Sequence, residues 1–351
     1  MRTGRAAPGS SPVTVNALAL RPAGAGVSTY IRELTRALDD SDLPVRALVQ
    51  RDATSELPPR AQAVTMPVCS GVRRAALSAV LRSRGLLHGL DVDLPWAHRG
   101  PMVSTIHDLG VFDVPWAYDG PRLRGERALL RHAARVADVV IADSRFTAER
   151  VWAVLRRDSV VIPLATPAGF APATSDQVAD VRRRYGLPDV FVLHVGTVEP
   201  RKDVGRLADA CAELGVPLVL AGGSLGQAMA QRAGVLRLGF IPRPDLPALF
   251  GAAGAVAYSS VYEGFGLPPL EALACGAHLV CSRVADLPEL LGDAAIWTRP
   301  GDSQSLQAGL REALHDTDRR AQTRGKARAA LAGLSWEATA RAVIDVYESL
   351  A

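Results

Sequence analysis

The sequence predicts an α/β protein with two doubly wound parallel sheets, each in a domain of its own. Short runs of buried aliphatic residues alternate along the chain with amphipathic segments of helical length. The alternation occurs in two series, and a stretch rich in Pro and Ala at 163–174 separates them. The length of 351 residues agrees with this division. We therefore predict domains at 1–173 and 174–334, followed by a helical segment at 335–351.

The first series opens with a buried strand at 13–20, a loop at 21–26 that contains Gly24 and Gly26, and a helix at 28–38. A strand, a glycine-rich loop and a helix in this order form the first unit of a doubly wound sheet. Further strands are predicted at 45–49, 102–106 and 139–142, and further helices at 72–84, at 121–136 and after the capping residue Ser144.

The second series has the same alternation. Strands are predicted at 190–195, 216–220, 236–240, 255–258, 279–282 and 295–297, with helices at 204–214, after the two prolines at 268–269, from about 287 and at 336–350. Ligands bind at the carboxyl ends of the strands in such sheets. Two facing sheets therefore predict a binding site in the cleft between the domains.

Composition excludes several classes of protein. No apolar run reaches the roughly 18–20 residues of a transmembrane helix, and the short run at 13–20 is expected to be a strand rather than a signal peptide. The four cysteines lack C-x-x-C spacing and histidine partners at zinc spacing, which indicates a reduced, metal-free, cytoplasmic protein. Aromatic residues make up 5% of the chain and no recognition motif is present, so nucleic acid is not an expected partner.

Two segments of the second series indicate a binding site for an anion. Residues 196–203 follow a predicted strand and read GTVEPRKD. Residues 263–276 contain Glu263, a glycine-rich turn, two prolines and Glu271. Glycine lets the backbone turn sharply, and proline at the first helical positions leaves free amides whose dipole suits an anion. With one carboxylate for sugar hydroxyls and one for ribose hydroxyls, this segment is suited to a nucleotide-sugar.

These segments, together with His107 and Asp108 in the first series, resemble the family 4 glycosyltransferases with the GT-B fold. The resemblance extends from Gly24 to the helix that begins at Trp336. It implies two Rossmann-like domains that face each other across a cleft, with the last helix crossing back to the first domain. It also implies retaining transfer of a hexose from a nucleotide diphosphate donor to a hydroxyl acceptor, without a metal or another cofactor.

The resemblance gives catalytic roles to four residues. Glu263 would lie beside the donor sugar, and His107 would contact that sugar from across the cleft. Arg201 and Lys202 would stabilise the diphosphate as the glycosidic bond breaks, each by about 2–4 kcal/mol. Only two of the 40 basic residues are lysines, so a lysine in the motif suggests that a compact ammonium is required. Many relatives carry an arginine where this chain has Thr197. Arg201 is expected to take the role of that arginine.

The remaining candidates bind the donor or the acceptor. Glu271 would accept from the ribose hydroxyls, and Asp108 is the acceptor-binding candidate, with a structural role in its loop as the alternative. The donor-binding candidates are Gly24, Gly26, Gly196, Thr197, Phe240, Ile241, Gly264, Phe265, Gly266, Leu267 and Glu271. The E-P-R-K form is common among bacterial mannosyl- and rhamnosyl-type transferases, so GDP-mannose is the leading donor and UDP-linked sugars are the alternative.

Other functions stay open at this point. A GT-B nucleotide-sugar epimerase or a glycogen-type enzyme would share these motifs. A non-catalytic GT-B partner of an active enzyme is a further alternative. Thr197 and the short first domain leave it open, although the presence of Glu263, Glu271, Arg201 and Lys202 argues against it. A dinucleotide dehydrogenase is disfavoured, because Thr29 stands where the G-x-G-x-x-G motif requires its third glycine.

The charge of the first domain suggests a further partner. Residues 1–173 hold 22 arginines and 16 acidic residues, whereas 174–351 hold 18 basic and 20 acidic residues. Two predicted helices carry the arginines of interest, which are Arg73, Arg74, Arg82 and Arg84 around the first and Arg124, Arg127, Arg131 and Arg135 on one face of the second. We expect peripheral contact with an anionic membrane at its inner face, with a solvated basic face as the alternative. Loops at 50–72, 86–100 and 110–122 are expected to bind the acceptor.

Overall fold

The computed structural model describes residues 12–24, 26–223 and 232–350, and their strands form two parallel sheets. The strands of the first sheet are β1 (Val13–Asn16), β2 (Val45–Gln50), β3 (Gln62–Met66), β4 (Leu87–Gly89), β5 (Met102–Ile106), β6 (Val139–Ala142) and β7 (Val160–Val161). Those of the second are β8 (Val192–Val195), β9 (Leu218–Ala221), β10 (Val235–Gly239), β11 (Ala255–Tyr258), β12 (Leu279–Ser282) and β13 (Ile296–Thr298).

Helices pack against both sheets. Those of the first part of the chain are α1 (Val27–Asp40), α2 (Gly71–Ala79), α3 (Gly110–Asp113), α4 (Gly120–Val136), α5 (Arg145–Leu155) and α6 (Ser175–Tyr185). Those of the second part are α7 (Val204–Glu213), α8 (Leu246–Ala252), α9 (Leu267–Ala274), α10 (Leu287–Leu291), α11 (Ser303–His315), α12 (Thr317–Leu331) and α13 (Trp336–Glu348).

The strand order identifies the position of the cleft. The first sheet runs β3-β2-β1-β4-β5-β6-β7 and the second runs β10-β9-β8-β11-β12-β13, with all neighbours parallel. The direction of winding reverses between β1 and β4 and between β8 and β11, where the loops leave opposite faces and open a crevice. The predicted fold class is confirmed.

Several predicted elements differ from the observed ones. The first strand ends at Asn16 rather than at residue 20, because the Asn16 side chain accepts from the Leu18 amide and donates to the Asp93 carbonyl, which turns the chain. The helix predicted at 72–84 ends at Ala79. The loops expected at 50–72 and 86–100 contain β3 and β4. Both strands lacked a signal, since β3 is a largely exposed outer strand without a run of apolar residues and β4 has 3 residues.

Helix α6 begins directly after the predicted linker. Thr174 and Gln177 form a reciprocal capping box, in which each side chain accepts from the other residue's backbone amide. This T-x-x-Q spacing is a helix-start signal that the sequence contained. The domain boundary between 173 and 174 stays a prediction.

The last helix crosses back to the first domain, as expected for the fold. The Trp336 ring lies 6.3 Å from that of Tyr30 in α1. The Tyr347 hydroxyl is 2.7 Å from His88 Nδ1 in β4. Burial lowers the pKa of His88 to about 3, so this imidazole is neutral and can accept from the hydroxyl. Helix α13 therefore holds the end of the second domain against the first sheet.

Candidate active site

The two segments that the sequence singled out meet at the crevice of the second sheet. Arg201 and Lys202 follow β8, Glu263 follows β11, and these strands are neighbours in the sheet. The loops are joined directly, because the Val261 amide donates to the Arg201 carbonyl at 2.8 Å. The Ser259 hydroxyl also donates to the Lys202 carbonyl at 2.9 Å. Residues about 60 positions apart therefore form one rigid unit.

Glu263 is a buried carboxylate that lies between two cations. Its Oε2 is 2.7 Å from Arg201 Nη1, and its Oε1 is 3.7 Å from Lys202 Nζ and accepts from the Ser260 hydroxyl at 2.8 Å. Burial alone would raise its pKa, but Lys202, Arg201 and the Ser260 hydrogen bond outweigh burial and lower the pKa to about 2. Glu263 is therefore ionised throughout the physiological range.

Glu199 is a further member of this cluster that sequence reasoning missed. Its carboxylate is 3.0 Å from Arg201 Nε and also accepts from the Thr197 hydroxyl at 3.0 Å. Arg201 donates in addition to the Tyr262 carbonyl at 3.1 Å. Glu199 lies inside the GTVEPRKD segment, which was the available signal. Thr197 thus donates a hydrogen bond to Glu199, and Glu199 in turn positions Arg201.

Lys202 requires glycine at position 196. A Cβ on Gly196 would lie 3.2 Å from Lys202 Nζ, and this glycine has a φ of 144°, which other residues rarely adopt. The ammonium also lies 5.6 Å from the centroid of the Tyr258 ring. The loop after β8 therefore places the lysine against bare backbone at the mouth of the crevice.

A cavity of about 310 Å³ begins beside this cluster, and we call it the nucleotide cavity. Eight of the predicted donor-binding residues line it, namely Gly24, Gly26, Gly196, Thr197, Phe240, Ile241, Leu267 and Glu271. Two helices contribute, since α9 supplies Leu267 and Glu271 and the start of α1 follows Gly26. The cavity therefore has walls from both domains.

Glu271 lies in α9 as predicted, with Pro268 and Pro269 in the first turn of the helix. Burial, with a smaller contribution from Glu33 and against the effect of Arg243, raises the pKa of Glu271 to about 7. Glu33 of α1 pairs with Arg243, which follows β10, at 2.7 Å. Sequence reasoning missed this pair, since residues 210 positions apart give no pattern. A partly buried interdomain ion pair therefore stands beside the nucleotide cavity.

The glycine turn before α9 contacts the first domain and not the nucleotide cavity. A Cβ on Gly264 would lie 1.8 Å from the His107 carbonyl oxygen, so only glycine fits there. The Gly264 carbonyl accepts from the Ser144 hydroxyl at 2.6 Å. Gly266 caps α9 with a φ of 94°, and the ring of Phe265 is buried. These three donor-binding candidates shape the turn instead of lining the cavity.

His107 ends β5 and is held within its own domain. Its Nδ1 is 2.6 Å from the Asp143 carboxylate and its Nε2 is 3.0 Å from the Leu90 carbonyl. Burial favours the neutral ring, but Asp143 and the Leu90 hydrogen bond outweigh burial and raise the pKa of His107 to about 9. Both ring nitrogens therefore donate within the first domain, and the backbone of His107 is what meets the second domain.

Asp108 has a contact in its loop and also faces open space. Its Oδ1 accepts from the Gly110 amide at 2.8 Å, which starts the short helix α3 in the segment expected to be a loop at 110–122. A second cavity of about 500 Å³ lies beside Asp108, and we call it the first-domain cavity. Its wall includes Asp108, His107, Glu199 and Arg201.

Two doubly wound domains, with an ionised carboxylate and two cations at the crevice between them, define a GT-B glycosyltransferase site. Comparison with known families agrees. The family described as glycosyl transferases group 1 matches residues 180–330, and the one described as glycosyltransferase family 4 matches residues 24–167.

The relatives identify the family. The chain is 32% identical to the O-antigen chain mannosyltransferase B of Escherichia coli, over 76% of this chain and 74% of that protein. It is 28% identical to a D-inositol 3-phosphate glycosyltransferase of Salinispora arenicola, over 92% of this chain and 86% of that protein. The chain therefore belongs to the group 1 glycosyltransferases.

Solved structures agree in fold. Sucrose-phosphate synthase from Thermosynechococcus elongatus superimposes with a TM-score of 0.79 at 24% identity, with 97% of this chain and 99% of that one covered. Anabaena HepE in complex with UDP-glucose superimposes with a TM-score of 0.75 at 20% identity, with 97% of this chain and 100% of that one covered.

The described part of the chain lacks two kinds of feature. None of its helices is both long and apolar enough to cross a membrane. Across the same residues, His, Cys, Asp and Glu side chains do not gather in threes or more in a way that could hold a metal ion.

The raised pKa of Glu271 predicts a pH-dependent stability. The folded state binds this proton more tightly than the unfolded state, so the stabilisation is complete below pH about 4.5 and is lost as the pH rises through about 7. We expect the free energy of unfolding of Glu271→Gln to decline less over this pH range than that of the wild type. The difference is up to about 1.4 kcal/mol for each unit by which the pKa of Glu271 is raised. Urea unfolding from pH about 4 to about 8 measures it. The exposed Glu149→Gln is the matched control, and an unchanged profile in Glu271→Gln would contradict the assignment.

Proposed function

We propose that the protein transfers a hexose, with retention of anomeric configuration, from a nucleotide diphosphate sugar to a hydroxyl acceptor. The observation that carries this proposal is the cluster of Glu263, Arg201 and Lys202, in which Lys202 lies beside Gly196 of the nucleotide cavity. The leading donor is GDP-mannose. The relative at 32% identity is named a mannosyltransferase of O-antigen chains, which supports mannose and a polysaccharide acceptor.

The donor is proposed to lie along the nucleotide cavity. Glu271 is buried at its wall and would accept from the ribose hydroxyls. Phe240 and Ile241 line the end where the base would lie. The diphosphate would then reach Gly196, where the bare backbone admits a close approach beside the Lys202 ammonium. The hexose follows the diphosphate and lies between Glu263 and the His107 backbone.

Bond cleavage places growing negative charge on the diphosphate. Arg201 and Lys202 are already oriented by Glu263, so they can stabilise that charge without reorganisation. We propose that these two cations do this without a metal ion. Both cations are already at the site, so neither has to move in from solvent.

The ionisation of Glu263 limits the mechanisms by which the anomeric configuration could be retained. With a pKa of about 2 and two cationic partners, this carboxylate is a weak nucleophile and cannot act as an acid. It can still stabilise positive charge at the anomeric carbon. We propose that the bond to the diphosphate breaks and the acceptor oxygen bonds to the same face, while the acceptor proton passes to the departing phosphate oxygen.

The transfer reaction itself is the first prediction from this proposal. With GDP-mannose and a panel of hydroxyl acceptors, we expect a glycoside product with the α configuration of the donor, measured by NMR of the anomeric proton, and a lower rate with UDP-sugars. An inverted product would contradict retention. A product that forms without an acceptor would indicate an epimerase, and donor binding without any turnover would indicate a non-catalytic partner.

Removal of either charged partner in the cluster should abolish most activity. We expect Lys202→Ala and Glu263→Gln each to lower kcat by about 100-fold or more, in line with the loss of one oriented electrostatic group. The other lysine of the chain, Lys326, pairs with Asp293 on the surface at 3.0 Å, so Lys326→Ala is the matched control. Thermal unfolding verifies that each variant is folded, and wild-type turnover in a folded Lys202→Ala would refute its role.

We also propose that the first domain contacts an anionic membrane. Val72 and Trp96 are 86% and 72% exposed, and the Trp96 amide donates to the Ala79 carbonyl, which joins its loop to α2. Trp96 also stacks on His132 of α4, so this loop and both helices form one surface. The exposed arginines in or beside these elements include Arg73, Arg82, Arg84, Arg124, Arg131 and Arg135. Arg74 and Arg127 are instead engaged within the domain.

Vesicle co-sedimentation tests this contact. We expect binding to vesicles that contain phosphatidylglycerol, weaker binding at higher salt and little binding to phosphatidylcholine alone. Trp96→Ala should reduce the bound fraction, because an aromatic side chain at the interface would be lost. Trp152 on α5 is also exposed, at 52%, so Trp152→Ala is the matched control. Equal binding to neutral and anionic vesicles would contradict the electrostatic contact.

A further inference from the structure

The first-domain cavity lies next to the place where the hexose would be transferred. The nucleotide cavity is lined by Gly26 and Thr197, and the first-domain cavity by Val27, Glu199 and Arg201. The two cavities therefore lie on either side of the same two chain segments. A hydroxyl group that enters the first-domain cavity would reach the sugar carbon of a donor held as proposed above.

Every cation in the described wall of this cavity already has a carboxylate partner. Arg74 Nη2 lies 3.2 Å from Asp91 and its Nε lies 2.8 Å from Asp93. Arg122 is paired with Glu126 at 2.7 Å. The other two cations are Arg201, which is held by Glu199 and Glu263, and His107, which is held by Asp143.

Carboxylates outnumber cations once the groups behind the wall are included. The cavity is lined by four carboxylates, as many as the cations, namely Asp91, Asp108, Glu126 and Glu199. The partners Asp93, Asp143 and Glu263 stand directly behind the wall. Lys202, which is paired with Glu263, adds one cation behind the wall, so an anion in the cavity would still meet a surplus of negative charge.

The same wall suits a sugar. Carboxylate oxygens accept hydrogen bonds from hydroxyl groups, and each oxygen has more than one lone pair available. The ring of Tyr118 stands beside them, with Val92, Val111 and Leu129 as apolar neighbours for the C–H faces of a pyranose. Polar edges and apolar faces of this kind are the chemistry of carbohydrate recognition rather than of phosphate recognition.

We propose that the first-domain cavity binds the acceptor as an uncharged, hydroxyl-rich glycan that carries no phosphate on the sugar unit that is bound. This inference rests on the proposed transferase function and defines the acceptor for it. It sets this chain apart from its relative named for D-inositol 3-phosphate, although the two align over 92% of this chain.

Matched pairs of acceptors test the proposal. The pairs are methyl α-mannoside with its 6-phosphate and myo-inositol with inositol 3-phosphate, each with GDP-mannose as donor. We expect kcat/KM to be at least tenfold higher for methyl α-mannoside than for its phosphate, and little transfer to inositol 3-phosphate. An octyl α-mannoside arm distinguishes a lipid-linked glycan, which would have a lower KM than the methyl glycoside, from a free saccharide.

Binding is measured separately from turnover. Saturation-transfer NMR in the presence of GDP reports contact of each acceptor with the full-length protein, whether or not transfer occurs. We expect signals from the neutral glycosides and not from their phosphates. Stronger binding or faster transfer of the phosphorylated member of a pair would overturn the proposal and leave the transferase function intact. Failure of GDP to bind, with no transfer to any acceptor, would overturn the function, while the acceptor signals would still decide the proposal.

Two variants test whether the carboxylates that line the first-domain cavity cause the preference for unphosphorylated acceptors. Asp91→Asn removes an acceptor of hydroxyl hydrogen bonds and should raise KM for methyl α-mannoside about tenfold without a change in GDP binding. Glu126→Gln frees Arg122, which is 55% exposed, and should increase transfer to the 6-phosphate severalfold. The exposed Asp40→Asn and Glu149→Gln are the matched controls. If Glu126→Gln leaves the ratio of the paired acceptors unchanged, the charge-based selectivity is wrong.

Discussion

The ion pairs of Glu263 with Arg201 and Lys202 are the interaction on which the site depends. A buried carboxylate is costly unless cations and hydrogen bonds surround it, so Glu263 determines where both cations lie. The hydrogen bond from the Val261 amide to the Arg201 carbonyl ties the same two loops through their backbones. The cations are therefore oriented before a donor arrives, which is the condition under which charge stabilisation contributes most to a reaction.

The two domains meet through contacts that leave little freedom of position. The His107 carbonyl lies against bare backbone at Gly264, and the Ser144 hydroxyl donates to the Gly264 carbonyl. The Asp286 carboxylate accepts from the first backbone amides of α5 at 2.6 and 3.0 Å. These contacts connect the turn that carries Glu263 to the first domain. The nucleotide cavity and the first-domain cavity thereby take walls from both domains and adjoin the same loops.

Local patterns account for most of the fold and for the second-domain half of the site. Strands β5, β6, β11 and β12 have the predicted bounds, because each is a short apolar run between clear turn residues. The exposed outer strand β3 and the 3-residue strand β4 lack a run of buried apolar residues that would give that signal. The GTVEPRKD segment predicted two cations beside a carboxylate, and the structure brings all three together, with Glu199 as a further partner.

By itself the sequence determined the two-domain class, the family resemblance and the residue types at the catalytic cluster, since these depend on periodicity and on motifs that are contiguous in the chain. Tertiary structure alone decided which side chains are free to act. It paired Glu33 with Arg243 across the domains, turned both nitrogens of His107 into its own domain, and gave every cation of the first-domain cavity a carboxylate partner. The reason is physical, because the charge state and availability of a buried group depend on neighbours that are distant in the chain.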